Sequence, residues 1–196
     1  MQEIDFYLVD AFSDKTFGGN AAAVCPLEEW LPDETLLKMA QQHNQSETAF
    51  FVRTDGGFEL RWFTTLDEIN LCGHATLAAS HVIFEYLDYP HTEITFTTRF
   101  VGELTVKRSG DWLTLNFPAW STEIVENPPE VLFSALGITA AKDVRVGRDY
   151  MVVLESQQQV EALTPDIGAM LPLDKMVCVT APGEEYDFVS RFFCPG

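Results

Sequence analysis

The chain has 196 residues, 46% of them hydrophobic, and its 30 acidic against 12 basic residues give a formal net charge of −18. This charge repels phosphate backbones and anionic lipid surfaces, so the composition argues against a nucleic-acid partner and against a membrane partner. No apolar run reaches membrane-spanning length, no signal peptide is recognisable, and the four cysteines are scattered. We therefore expect a cytoplasmic protein with reduced thiols.

Short strands separated by turns dominate the first half of the chain. Alternating apolar and polar residues predict strands at 4–10, 46–52, 58–64, 93–98, 103–108 and 112–117, and a run of small residues predicts another at 21–25. A helix is predicted to begin at Pro32, where acidic residues follow in the first turn, and to end at Asn44. Many short strands therefore surround few helices.

The segment over residues 73–88 is predicted to be a central helix. Its residues from Ala75 to Leu87 present no polar face, and a helix that is apolar all round is normally enclosed by its domain. Its first turn differs, because Cys72, Gly73 and His74 lie where unpaired backbone N–H groups and the positive end of the helix dipole gather. We expect a small anion to bind there.

A domain boundary is predicted between Pro118 and Pro129, where prolines and acidic residues occur without periodicity. We therefore expect a first domain over 1–118 and a second over 128–196. The second half predicts a helix at 129–136, a helical segment near 166–171, and strands at 143–146, 150–155, 175–179 and 186–193.

The two halves repeat the same order of elements, and the repeat aligns Arg61-Trp62-Phe63 with Arg191-Phe192-Phe193. A central helix follows the first copy, whereas the sequence stops after the second. We therefore expect a truncated product whose second domain is incomplete and lacks its central helix. The apolar faces of that domain would need a partner or a missing segment.

Five motifs occur in the order found in one known family. They cover residues 9–12 (VDAF), 17–24 (FGGNAAAV), 46–50 (SETAF), 61–64 (RWFT) and 71–78 (LCGHATLA). The chain resembles the phenazine-biosynthesis (PhzF-like) isomerase family, whose fold is that of diaminopimelate epimerase. The resemblance implies an α+β protein of two like domains, each a curled, mostly antiparallel sheet around a central helix, with the active site in the cleft between them.

The resemblance also implies an activity and its residues. It implies an isomerase that works without metal or organic cofactor, often as a homodimer, and that moves a proton between carbons of a small anionic acid. The residue matching Glu47 is the acid and base, Gly73 and His74 hold the substrate, and Asn20 belongs to a motif near the site. Family members continue past the position of Gly196 with a segment that supplies half of the cleft.

Three functions stay open on the residues alone. A free glutamate with a pKa near 4.3 is a weak base, so the isomerase needs burial or a substrate carboxylate to raise the pKa of Glu47. A racemase or epimerase would use Cys72 with a second thiol from beyond the sequence, since Cys194 does not match that position. A non-catalytic binding or regulatory protein is the third. We predict no metal site, because no third ligand follows Cys72 and His74 at helical spacing.

Overall fold

A computed structural model describes residues 3–15 and 17–195, so residues 1, 2, 16 and 196 of the predicted domains lie outside the described part. The chain forms two compact units, one ending at Pro118 and one beginning at Ala119. We call them unit 1 and unit 2. Unit 2 begins before residue 128 because strand β9 (Glu123–Ile124), within the predicted linker, pairs with a strand of unit 2.

Unit 1 is a sheet with two helices. The helices are α1 (Asp33–His43) and α2 (Gly73–Tyr86). The strands are β1 (Tyr7–Ala11), β2 (Asn20–Leu27), β3 (Thr48–Thr54), β4 (Gly57–Phe63), β5 (Glu68–Ile69), β6 (Glu93–Thr98), β7 (Gly102–Ser109) and β8 (Trp112–Asn116). They lie in the order β1-β2-β3-β4-β6-β7-β8, with β5 beside β4. Only the pairs β2–β3 and β4–β6 are parallel among these described strands, so the sheet is mostly antiparallel.

Helix α2 is the centre of unit 1. Its small and branched apolar residues are almost completely buried, and it contacts β1, β2, β3 and β8. Both edge strands of the sheet, β1 and β8, thus reach the same helix, which means that the sheet curls around it. The helix ends at Tyr86 rather than at the predicted residue 88, because Leu87 leaves helical geometry and Asp88 adopts a left-handed conformation.

Helix α1 covers the other face of the sheet and leads into the site. Leu36 and Ala40 are buried against Phe50 and Phe63, which point away from α2. The helix ends where Asn44 takes the left-handed conformation, as the sequence predicts. A short connection then brings the chain to the start of β3, so the residues around Glu47 are held between two regular elements.

Unit 2 is a smaller sheet with short helices. Its elements are β9 (Glu123–Ile124), α3 (Glu130–Leu136), β10 (Asp143–Val146), β11 (Tyr150–Val153), α4 (Gln157–Ala162), a 3-10 helix (Gly168–Leu173), β12 (Val177–Pro182) and β13 (Phe188–Phe193). The strand order is β13-β12-β11-β10-β9, and only β11 and β12 pair in parallel among these described strands. The helices bury Val152, Val177 and Phe193 on one face of this sheet.

The repeated Arg-x-Phe segment has the same local geometry in both units. The guanidinium of Arg61 lies 5.1 Å from the centre of the Phe63 ring, and that of Arg191 lies 5.1 Å from the Phe193 ring. In unit 1 the opposite face of this strand is buried by α2. In unit 2 the equivalent face leaves Phe188 66% exposed.

Candidate active site

The start of β3 meets the start of α2 at one end of the unit 1 sheet. Strand β2 lies between β1 and β3 and also packs on α2, and the Ala23 N–H donates to the Glu47 carbonyl at 3.1 Å. This places Glu47 immediately before the β3 ladder. Its Oε2 lies 3.1 Å from Nε2 of His74, which is in the first turn of α2. The carboxylate and the helix start are therefore in direct contact.

The His74 ring lies between three polar side chains. The Cys72 sulfur is 3.4 Å from Nδ1, and the Ser46 hydroxyl oxygen is 3.4 Å from Nε2. With the Glu47 contact at Nε2, both ring nitrogens have protein partners, and the residue is only 8% exposed. The imidazole thus has one thiol neighbour on one side and a carboxylate and a hydroxyl on the other.

Glu47 is partly shielded from water, and its side chain is 19% exposed. Burial raises the pKa of Glu47, but the polar contacts of its carboxylate with His74 and Ser46 outweigh burial, so the net pKa lies below its ordinary value of 4.5. The predicted rise of this pKa is therefore wrong for the protein without a ligand. Glu47 is ionised at neutral pH.

One oxygen of this carboxylate retains capacity for a further hydrogen bond. Glu47 Oε2 is buried and makes no hydrogen bond of regular geometry to the described residues, although Nε2 of His74 lies 3.1 Å from it. A buried acceptor without an aligned donor is unusual in native proteins.

Cys72 lies directly before α2 and is 7% exposed. Burial and the negative charge of Glu47 raise the pKa of Cys72 to about 12, although the backbone N–H groups of Ala75 and His74 act in the opposite direction. The thiol is therefore protonated at neutral pH. In a racemase that uses two thiols, a protonated Cys72 would be the acid, and the base would have to be the second thiol.

The first turn of α2 has little space for a side chain at Gly73. A Cβ at this position would lie 3.3 Å from an edge carbon of the half-buried Phe117 ring, so a side chain here would have to displace the ring. The hydroxyl of Thr76 donates to the Cys72 carbonyl at 2.6 Å and holds the turn together. The first N–H groups of the helix have no partner within the helix itself.

Comparison with known proteins identifies the chain. A family model described as "Phenazine biosynthesis-like protein" matches residues 9–196. The chain belongs to the phenazine biosynthesis-like (PhzC-PhzF) family. This confirms the resemblance carried by the five sequence motifs.

Two relatives of this phenazine biosynthesis-like protein fit the assignment. The chain is 46% identical over 194 residues to an uncharacterized isomerase of Pseudomonas aeruginosa, a match that covers 98% of this chain and 74% of the relative. A PhzF family crystal structure from Enterococcus faecalis superimposes with a TM-score of 0.90 at 41% identity, covering 98% of this chain and 74% of that one. The names of its relatives thus support an isomerase-type function.

A third comparison concerns the fold alone. The structure of a predicted epimerase from Pseudomonas aeruginosa has a TM-score of 0.65 at 19% identity, covering 90% of this chain and 70% of that one. The α+β, diaminopimelate epimerase-like fold class is confirmed. Within the part of the chain that the structure describes, no helix combines the length and apolar composition needed to cross a membrane.

Four of the five predicted site residues lie together in the structure, and the fifth is Asn20. Glu47, Cys72 and His74 lie together, and Gly73 is between the last two. Asn20 begins β2 and is exposed, and its side chain makes no hydrogen bond to the residues that the structure describes.

Ser46 is a site residue that the sequence analysis did not select. Its hydroxyl contacts His74 and also donates to the Ala21 carbonyl at 3.4 Å. The available signal was its position directly before Glu47, within a matched motif. Ser46 therefore links the start of β2 to the His74 ring.

The prediction of no metal site considered only neighbours in sequence. The structure adds Glu47 to Cys72 and His74, and one donor atom from each lies within 4.8 Å of the others. The thiol faces Nδ1 of the ring, and the carboxylate faces Nε2. The expected absence of a metal ion stays a prediction.

Proposed function

We propose that this protein is an isomerase that moves a proton between carbons of a small carboxylic acid, with Glu47 as acid and base and without metal or organic cofactor. The names of its relatives support the isomerase class. The observation that carries the finer proposal is the contact between Glu47 Oε2 and His74 Nε2, 3.1 Å apart at the start of a buried helix. It joins an ionised base to a group able to stabilise negative charge.

Glu47 would accept the proton on its carboxylate, whose side chain is 19% exposed in the free protein. A carboxylate with a pKa below 4.5 is a weak base in the free protein. A bound anionic acid changes this, because its carboxylate repels the negative charge of Glu47 and its bulk displaces water. Both effects raise the pKa of Glu47 when the substrate is present, and the protonated Glu47 returns the proton to the second carbon.

The negative charge that remains on the substrate would be stabilised at the first turn of α2. The N–H groups of Gly73 and His74, which have no partner within the helix, lie at the positive end of the helix dipole. Donors placed in this way typically contribute about 3–4 kcal/mol each to transition-state stabilisation. Phe117 packs beside Gly73 at this turn.

Deuterium uptake at carbon tests the proposal. The chain is incubated in D₂O with a panel of small unsaturated, cyclic and amino carboxylic acids, and loss of C–H signal is followed by NMR. Glu47→Gln should lower the exchange rate about 10²- to 10⁴-fold, because the general base is lost. Glu103→Gln, an exposed glutamate of β7, is the matched control and should leave the rate unchanged.

The same assay separates the rival functions. Exchange that survives in Glu47→Gln contradicts the glutamate mechanism, and loss of exchange in Cys72→Ser would favour the racemase. If no acid of the panel is exchanged but one binds, the non-catalytic binding protein is favoured. The homodimer implied by the resemblance and the cytoplasmic location expected from the sequence stay predictions, which light scattering and cell fractionation would test.

A further inference from the structure

The buried ring of His74 can carry its proton on either nitrogen when neutral, and the two forms have opposite consequences for Glu47. A proton on Nε2 makes the ring a donor toward the carboxylate. A proton on Nδ1 would instead place two lone pairs against each other at the 3.1 Å contact between Nε2 and Glu47 Oε2. The groups around the ring decide between these forms.

On the Nε2 side, every neighbour accepts a hydrogen bond. Glu47 is a carboxylate, because its pKa lies below 4.5. The Ser46 hydroxyl oxygen lies 3.4 Å from Nε2 and has lone pairs that can accept from it. A proton on Nε2 faces the Glu47 carboxylate, whereas a lone pair there would face its negative charge.

On the Nδ1 side, the only described contact of the ring nitrogen is the Cys72 sulfur at 3.4 Å. The thiol is protonated, since burial and the charge of Glu47 raise its pKa to about 12. A thiol is a weak but real hydrogen-bond donor, and its proton can be directed to the lone pair of Nδ1. A proton on Nδ1 would have only the sulfur, a weak acceptor, as its described partner, and it would leave the Nε2 lone pair facing the Glu47 carboxylate.

We propose that Cys72 is a positioning residue for His74. Its S–H donates to Nδ1 and thereby holds the neutral imidazole in the tautomer that carries its proton on Nε2, facing Glu47 and Ser46. The tautomer itself stands on the contacts around the ring, and its consequence for catalysis rests on the proposed function. In that tautomer the imidazole is a hydrogen-bond donor toward the site, and Glu47 is the only base at the helix start.

NMR of the imidazole nitrogens tests this proposal directly. The chain is labelled with ¹⁵N-histidine, and two-bond ¹H–¹⁵N spectra are recorded at pH 7.5. The sequence has four histidines, and the His74 signals are assigned by their loss in His74→Gln. We expect the Nε2 resonance at the shift of a protonated nitrogen and the Nδ1 resonance at the shift of an unprotonated one. A proton on Nδ1, alone or in an imidazolium, overturns the proposal.

Variants of Cys72 show whether the thiol is the cause. Cys72→Ser keeps a donor beside Nδ1 and should keep the wild-type spectrum. Cys72→Ala removes the donor and should give averaged shifts at both nitrogens, typical of mixed tautomers. Cys25→Ala is the matched control, because Cys25 is also buried, at 1% exposure, but belongs to the cluster on the other face of the sheet.

Each outcome decides the question. A single Nε2-protonated form in Cys72→Ala overturns the role of the thiol. If Cys72→Ala does not fold, the spectra of the wild type and of Cys72→Ser decide, and a proton on Nδ1 in either one overturns the proposal. No substrate is needed, so a chain without deuterium exchange still gives a valid result. Failure of the tautomer and failure of the isomerase are therefore distinguishable.

Discussion

Arg61 forms a partly buried ion-pair network in unit 1, and its contribution to the free energy of unfolding can be measured. Its Nε and Nη2 donate to the two carboxylate oxygens of Glu68, each at 2.7 Å, and Nη2 also donates to Asp33 at 2.8 Å. The guanidinium lies 5.1 Å from the ring centres of Trp30 and Phe63. Arg61 and Glu68 are only 11% and 12% exposed, so the pair is largely removed from water.

We expect Arg61→Met to lower the free energy of unfolding by about 2–3 kcal/mol. Removing one partner of a buried ion pair costs about 3–5 kcal/mol, because the other charge stays buried without compensation. Arg99 reduces this cost, since its Nη1 lies 2.8 Å from Glu68. Methionine retains most of the contact with the aromatic rings, so packing adds little. Arg61→Lys keeps a charge but loses the two-point geometry, and it should fall between the wild type and Arg61→Met.

Urea denaturation followed by tryptophan fluorescence measures the effect, because three of the four tryptophans lie in unit 1. The matched control is Lys38→Met, which removes an ion pair to Glu34 whose side chains are 69% and 80% exposed. Exposed pairs contribute little, so this change should stay within about 0.5 kcal/mol. Equal effects of Arg61→Met and Lys38→Met would refute the argument that burial gives the Arg61 pair its strength.

Two further predictions concern a turn and an acidic group. Gly19→Ala should destabilise the chain by at least about 2 kcal/mol in urea, since Gly19 has a φ of +67° and an added Cβ would overlap the Ala11 carbonyl oxygen. Gly56→Ala, where nothing lies within 4 Å of an added Cβ, should be nearly neutral. The lowered pKa of Glu47 means that its ionised form stabilises the fold above its ordinary pKa of 4.5 and that this contribution is lost as pH falls through the folded value. Glu47→Gln should therefore weaken the fall in urea midpoint between pH 5 and pH 3, and an unchanged slope would contradict this.

Periodicity predicted the elements that depend on local pattern. The apolar residues of helix α2 are buried as expected, although His81, Glu85 and Tyr86 form an exposed side that the sequence analysis did not predict. The predicted strands at 93–98 and 143–146 match β6 and β10. Helix α4 was not predicted, because only Val160 of its six residues is buried and no apolar stripe forms. The signal that was present is Ser156, whose hydroxyl accepts from the Gln159 N–H as an N-cap.

The chemistry of the site depends on contacts that no pattern contains. The direction of the Glu47 pKa is set by the positions of Ser46 and His74 relative to its carboxylate, and the second of these comes from another element. The network of Arg61 likewise joins side chains from α1, β4, β5 and the loop after β6. Sequence spacing can suggest such residues, but their distances arise only when the sheet curls.

The enclosure of α2 by strands from both ends of unit 1 has a consequence for biosynthesis. Strands β1 to β5 leave the ribosome before the helix, whereas β8, which also contacts it, leaves some 25 residues after Tyr86. In a nascent chain of intermediate length, the side of the apolar helix that β8 will cover is therefore exposed. Exposed apolar surface of this kind binds chaperones and promotes aggregation. Arrested chains ending before Trp112 should bind such chaperones more strongly than chains ending after Pro118.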